Sequence, residues 1–179
     1  MSLAGIWELL RPALLFALGC AALWALLRQA ILRRKRRARR EALYALTVFY
    51  LAALAEIIAL RFGRPAARVA PQPIPLRTTL EQWRAGAWPF VYHVVGNLTW
   101  FMPLGLLLPM LRPSARWWQA LLLGAGLSFL VEGYQWLFGT GTPDVDDVLF
   151  NALGALLANA LAQLVRRAAA IKSENDLTI

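Results

Sequence analysis

Five apolar stretches, each close to the length that crosses a bilayer, constrain the fold of this chain more than any other feature. A helix needs about 20 predominantly apolar residues to span the hydrocarbon core. Only 16% of the 179 residues are charged and 59% are hydrophobic, whereas a soluble domain has about 25% charged residues. This composition argues against a water-soluble enzyme. We expect an all-α, polytopic transmembrane helical bundle of about five spans, at residues 9–32, 42–60, 93–111, 117–138 and 148–165.

Basic residues predict the orientation of this bundle. Seven of the 19 Lys and Arg residues lie in the run 33–40, and twelve share its face, against six on the opposite face. Cytoplasmic loops carry the excess of Lys and Arg, so we expect the N-terminus outside and the C-terminus in the cytoplasm. The net charge of +9 would suggest nucleic acid in a soluble protein. A basic run between two spans instead predicts lipid-headgroup contact, with membrane lipids and no nucleic acid as partners.

The long outer loop between the second and third spans has two parts. Four prolines between positions 65 and 75 make its first part extended. Thr78 with Glu81 three residues later is typical of a helix start with Thr78 as the cap. Trp83 and Trp88 follow, which predicts a short helix lying in the membrane interface.

Polar residues inside the spans gather in the outer half of the bundle. Glu56 and Glu132 lie within spans, where ionisable side chains usually face the bundle interior or a wet cavity. Helical spacing then places further polar residues on shared faces. We therefore predict an outward-opening polar pocket, formed by Ser128, Glu132 and Gln135 on the fourth span, Asp147 and Asn151 on the fifth, Asn97 on the third, and Asp144 in the loop above.

Structural alternatives remain open at several of these positions. Asn97 and Asn151 fit either a binding role or hydrogen bonds to neighbouring helices. Asp144 and Asp147 fit either the pocket or the cap of the fifth helix.

The two glutamates and the single histidine, His93, differ in how strongly they indicate function. Glu132 favours a functional role, because a buried carboxylate needs protonation or a cation. Glu56 fits either the pocket or an ion pair with Arg61. His93 is interpreted as an interfacial side chain, and the single cysteine, Cys20, excludes an internal disulfide and a multi-cysteine metal site.

Three motifs in a fixed order resemble those of the VanZ-like membrane proteins. The pattern N-x-x-x-F-x-P-x-G begins at Asn97, S-x-x-x-E-x-x-Q begins at Ser128, and D-x-D-D-x-x-x-N-x-x-G begins at Asp144. Ile74-Pro75-Leu76 with Thr78 is similar to the family's short motif before the third span. The resemblance covers about residues 44–165. It divides the chain into a first transmembrane helix with a basic cytoplasmic loop (1–41), a VanZ-like membrane domain (42–165) and a cytoplasmic tail (166–179).

The resemblance implies a multi-pass protein of the bacterial cytoplasmic membrane that acts in the cell envelope. The founding member of the family is associated with teicoplanin resistance, so a role in glycopeptide susceptibility is implied here. Many relatives carry an Arg three residues before the first Asp of the acidic motif, where this chain has Gly141. If that Arg binds an anionic group, its role is lost here or is passed to Arg77 or Arg61.

Three functions remain open. The first is binding of a lipid-linked envelope precursor or a lipoglycopeptide by the polar pocket, with Arg77 suited to phosphate. The second is an intramembrane enzyme that acts on a lipid-linked substrate through carboxylates or through a divalent cation held by Asp144, Asp146 and Glu132. No known nucleophile or phosphate-loop motif supports it, and no other cofactor is predicted. The third is proton-coupled transport, which the polar-poor inner half disfavours. The sequence does not predict the oligomeric state.

Overall fold

The computed structural model describes residues 3–32, 38–60 and 69–176, and these residues form six α-helices. Each expected span lies within a long helix, and the predicted short helix forms at Arg77–Ala85, while Trp88 falls in the helix that follows. A location of the short helix in the membrane interface stays a prediction. Within the three described ranges no β-strand occurs, and one parallel bridge pairs Gln72 with Asp144. The helices are α1 (Leu3–Leu32), α2 (Ala38–Leu60), α3 (Arg77–Ala85), α4 (Ala87–Leu111), α5 (Trp117–Phe138) and α6 (Val145–Asp176).

Three of these helices are long and apolar enough to cross a membrane: α4, α5 and the part of α6 up to Glu174. The prediction of an all-helical chain with helices that can span a membrane is thus confirmed, whereas the count of five spans and the orientation of the termini stay predictions. In α1, the apolar stretch found among the described side chains is Leu14–Leu26, which by itself is shorter than a span. The last helix continues to Asp176, so the segment after residue 165 is helical through its first eleven residues.

The described residues divide into two compact units. The first contains α1, α2 and Gln135–Gly141. Within it, Arg28 forms an ion pair with Glu41 and lies over the rings of Trp24 and Tyr44, at 5.2 and 5.3 Å from their centroids. Ion pairing and cation–π contact together join α1 to α2 at this point.

The second unit contains Ala70–Tyr134 and the described residues from Thr142 onward, and α4 packs closely on α6 within it. A β-carbon on Gly105 would overlap the backbone carbonyl of Ala155, and one on Gly154 would overlap that of Leu98. Glycine at both positions therefore brings the two backbones into direct contact, as small residues do between membrane helices.

Asn159 completes the backbone hydrogen bonding of α4 at a proline. Pro109 has no N–H, so the Gly105 carbonyl four residues earlier lacks its helical donor. The Asn159 Nδ2 donates to that carbonyl at 3.3 Å, and Gln163 Nε2 donates to Asn159 Oδ1 at 2.6 Å. Asn159 is fully buried, which identifies it as a structural residue of the α4–α6 contact.

Replacing Asn159 by leucine is expected to lower the free energy of unfolding by about 1–2 kcal/mol, because the Gly105 carbonyl then stays buried without a donor. In a Pro109→Ala background the helix can supply its own N–H, so the same replacement should have a smaller effect. A double-mutant cycle, with unfolding followed by sodium dodecyl sulfate titration in mixed micelles, measures the difference. Equal losses in both backgrounds would contradict this role.

Candidate functional site

The polar residues of the second unit converge on the first two turns of α6. We call this group the polar cluster. Its residues come from α3 and the segment before it, from α4, from α5 and from the start of α6. Its members are Gln72, Thr79, His93, Asn97, Ser128, Glu132, Asp144, Asp146, Asp147 and Asn151.

Backbone N–H groups at the start of α6 donate to acceptors from three segments of the chain. Asp144 caps the helix, since its Oδ1 accepts from the Asp146 N–H at 2.9 Å. The Asp144 N–H in turn donates to Glu132 Oε2 at 3.0 Å, and the Val145 N–H donates to the Gln72 carbonyl at 3.2 Å. The capping alternative predicted for Asp144 is therefore correct, and Glu132 contacts the α6 start directly.

Asp146 connects α3 with α6 through hydrogen bonds. Its carboxylate is fully buried and accepts from the Leu76 N–H at 2.5 Å, the Thr79 N–H at 2.9 Å and the Thr79 hydroxyl at 2.8 Å. The prediction that Thr78 caps α3 is wrong: the helix begins at Arg77, and no side chain of its own segment caps it. A charged carboxylate is a stronger acceptor than a hydroxyl, so Asp146 supplies the cap from a distant part of the chain.

Asp147 contacts two residues of α4. Asn97 Nδ2 donates to Asp147 Oδ1 at 2.5 Å, and His93 Nδ1 lies 3.6 Å from the same oxygen. The other ring nitrogen of His93 lies 3.4 Å from the Thr79 hydroxyl, and the ring stands edge-on to Phe150. His93 therefore belongs to the polar cluster, which its interpretation as an interfacial side chain did not anticipate.

One helical turn beyond Asp147, Asn151 connects α6 with α5. Its Nδ2 donates to Ser128 Oγ at 2.8 Å, and both residues are buried. The buried Oδ1 of Asn151 has no hydrogen-bond partner among the residues that the structure describes.

The predicted pocket residues fall into two groups. The polar cluster brings together six of them: Asn97, Ser128, Glu132, Asp144, Asp147 and Asn151. Gln135 and the half-buried Glu56 belong to the other unit. Arg77 forms an exposed pair with Glu81 at 3.0 Å, and Arg61 lies outside the described residues. A binding role for Gln135, Glu56 and Arg77 stays a prediction.

Gly141, at the position where the resemblance implies an Arg, lies against the side chain of Gln135. A β-carbon at this position would overlap the Gln135 amide oxygen. The turn that leads there is fixed by Gly139, whose φ of 65° suits glycine, and by the Thr140 N–H, which donates to the Gln135 carbonyl at 3.0 Å. This is the Schellman arrangement that ends many helices. A larger residue at 141 would require Gln135 to move.

Besides His93, two members of the polar cluster, Thr79 and Gln72, were not predicted as site residues. Thr79 stands next to the residue predicted as the cap, so its segment was identified but its role was not. Gln72 holds the start of α6 through backbone hydrogen bonds to Pro143 and Val145. Its only sequence signal is that it is a polar residue between two prolines.

The predicted cation ligands form part of a hydrogen-bonded network. Both oxygens of Asp146 accept from α3 and its preceding residue, and Asp144 and Glu132 accept from backbone N–H groups. In the described part of the chain, no three His, Cys, Asp or Glu residues are placed so as to hold a metal ion. A divalent cation at Asp144, Asp146 and Glu132 stays a prediction that this arrangement does not favour.

Comparison with known proteins agrees with the three motifs. No curated protein and no solved structure matches the chain. A protein-family model described as VanZ/LLP1 matches residues 42–166. The matched range includes α3, α4, α5 and most of α6, and it therefore contains every residue of the polar cluster. Because it extends over more than half of the sequence, the chain belongs to the VanZ/LLP1 family.

Proposed function

We propose that this protein is a five-span protein of the bacterial cytoplasmic membrane, with its N-terminus outside and its C-terminus in the cytoplasm. The polar cluster faces outward and binds a lipid-linked or lipoglycopeptide-like molecule of the cell envelope. Through this binding the protein modulates susceptibility to teicoplanin. One observation carries the proposal: six side chains predicted to line a binding pocket gather around the first two turns of α6.

The charge distribution of the second unit supports this orientation. Asp144, Asp146 and Asp147 lie at the N-terminal end of α6. Arg166 lies toward the other end and donates to the Pro109 carbonyl at 2.8 Å, close to the C-terminal end of α4. Because Lys and Arg concentrate on the cytoplasmic side, the acidic end is assigned to the outside.

Burial of the polar groups supports a binding role. Glu132 and Asn151 are each less than a tenth exposed, although they belong to helices apolar enough to span a membrane. Polar residues at such depth are expensive and usually mark substrate or ion sites. A headgroup that enters from the outer surface would meet Asp144 first and Asn151 one to two helical turns deeper.

Glu132→Gln is expected to weaken teicoplanin binding about tenfold, the effect of losing one charge-assisted hydrogen bond. Glutamine keeps the size of the side chain and one acceptor oxygen for the Asp144 N–H. The measurement is titration of teicoplanin against purified protein in phosphatidylcholine nanodiscs.

The matched control is Glu81→Gln, since Glu81 is an exposed carboxylate that pairs with Arg77 on α3. This variant should bind teicoplanin as the wild type does. Teicoplanin from which the acyl chain has been removed should bind more weakly to all three proteins. The proposal fails if the wild type does not bind teicoplanin, or if folded Glu132→Gln binds it equally well.

A further inference from the structure

Of the two polar atoms in the Asn151 side-chain amide, one makes a hydrogen bond and the other does not. Its Nδ2 donates to Ser128 Oγ, while its Oδ1 has no partner among the described residues, although the residue is only 5% exposed. A buried acceptor left without a donor destabilises the fold by about 1–3 kcal/mol. Native proteins usually satisfy such atoms with ordered water or a ligand. The unpaired oxygen therefore marks a point where a donor from outside the described residues belongs.

The backbone donors next to this point are already engaged. The N–H groups of Asp144, Val145 and Asp146 donate to Glu132, Gln72 and Asp144 respectively. A helix N-terminus normally attracts anions through such N–H groups. Here protein acceptors hold them, so a phosphate or carboxylate would have to displace an existing partner.

Two further hydrogen-bond acceptors, Asp147 and Glu132, lie one helical turn from Asn151 and Ser128 respectively. Asp147 comes before Asn151 on α6, and Glu132 comes after Ser128 on α5. The carboxylate oxygens of both residues accept hydrogen bonds, at Asp147 from the Asn97 amide and at Glu132 from the Asp144 N–H. The predicted phosphate ligand Arg77 pairs instead with Glu81.

We propose that the group recognised at Asn151 is a hydrogen-bond donor, namely a hydroxyl of a sugar headgroup carried on a lipid, and not a phosphate. This inference rests on the proposed function, because it names the chemical class of the molecule that the polar cluster binds. The sugar hydroxyl donates to Asn151 Oδ1. Asn151 thus selects for hydroxyl-bearing headgroups, while the chain's apolar helices contact the lipid.

The experiment compares two probes of the same skeleton, dodecyl glucoside and its fully O-methylated form, which has acceptors but no donors. Binding is measured to the full chain in phosphatidylcholine nanodiscs. The wild type should bind the glucoside about tenfold more tightly, since the methylated probe leaves the oxygen unpaired. In Asn151→Leu the two affinities should agree within about twofold. Asn151→Asp, which keeps an acceptor, should retain the preference.

Asn159→Leu is the matched control, because it removes the same side chain from the same helix at a structural position. It should keep the tenfold preference. Equal affinities in the wild type, no binding of the glucoside, or tighter binding of dodecyl phosphate would each overturn the inference. If teicoplanin binding still depends on Glu132 while the glucoside preference is absent, the inference fails and the proposed function stands. Loss of Glu132-dependent teicoplanin binding overturns the proposed function itself.

Discussion

Gly154→Ala is expected to destabilise the protein by about 3 kcal/mol, at the upper end of the range for overpacked cores. The added β-carbon would overlap the backbone carbonyl of Leu98. A backbone cannot swing aside as a flexible side chain can, so α4 and α6 must separate along their contact. Unfolding by sodium dodecyl sulfate in mixed micelles measures the loss, and Gly105→Ala should act similarly through the carbonyl of Ala155.

Gly126 on α5 provides the matched control. No heavy atom lies within 4 Å of a β-carbon built there. Alanine is a better helix former than glycine by about 0.5–1 kcal/mol, so Gly126→Ala should be neutral or stabilising. Similar losses at Gly126 and Gly154 would mean that helix propensity, and not the α4–α6 contact, determines the effect.

The positions of the helices follow from local sequence. Apolar runs of sufficient length identified every long helix, and the fourth predicted span matches α5 (Trp117–Phe138) at both ends. The end of α6 could not be predicted in this way, because residues 166–176 are mostly polar and carry no apolar period. They remain helical although most of them are exposed, as their many good helix formers permit.

Helical spacing also predicted which polar residues share a face, but not which residues pair across helices. Asn97 with Asp147 and Asn151 with Ser128 were each expected in the pocket, and both pairs occur. Their partners depend on how the helices cross, which a period of 3.6 residues does not specify.

Long-range contacts account for what the sequence did not predict. The capping pattern at Thr78 and Glu81 is local, whereas the true acceptor, Asp146, lies 67 residues from Thr79. No role is predicted for Asn159 from the sequence. Its role depends on Pro109, which removes a donor from a different helix.

Asp146→Ala is expected to lower the free energy of unfolding by about 3–5 kcal/mol, the range observed when one partner of a buried charged network is removed. Three donors lose their acceptor at once: the N–H groups of Leu76 and Thr79 and the Thr79 hydroxyl. Asp146→Asn should have a smaller effect, because one oxygen remains to accept. Glu81→Ala, which removes an exposed carboxylate of α3, should change stability by less than about 0.5 kcal/mol.

The residues at which Asp146→Ala loses protection from hydrogen exchange show whether Asp146 only caps α3 or stabilises the whole unit. If Asp146 fastens α3 to α6, amide hydrogen exchange in Asp146→Ala should accelerate first at Leu76 and Thr79. Exchange in the α4–α6 contact around Gly154 should change little under native conditions. Under the proposed function, teicoplanin binding should weaken as well, because Asp144 and Asp147 flank the carboxylate that has been removed. Uniform acceleration along all the helices would contradict this, since it would show that Asp146 supports the whole unit and not the junction between α3 and the polar cluster.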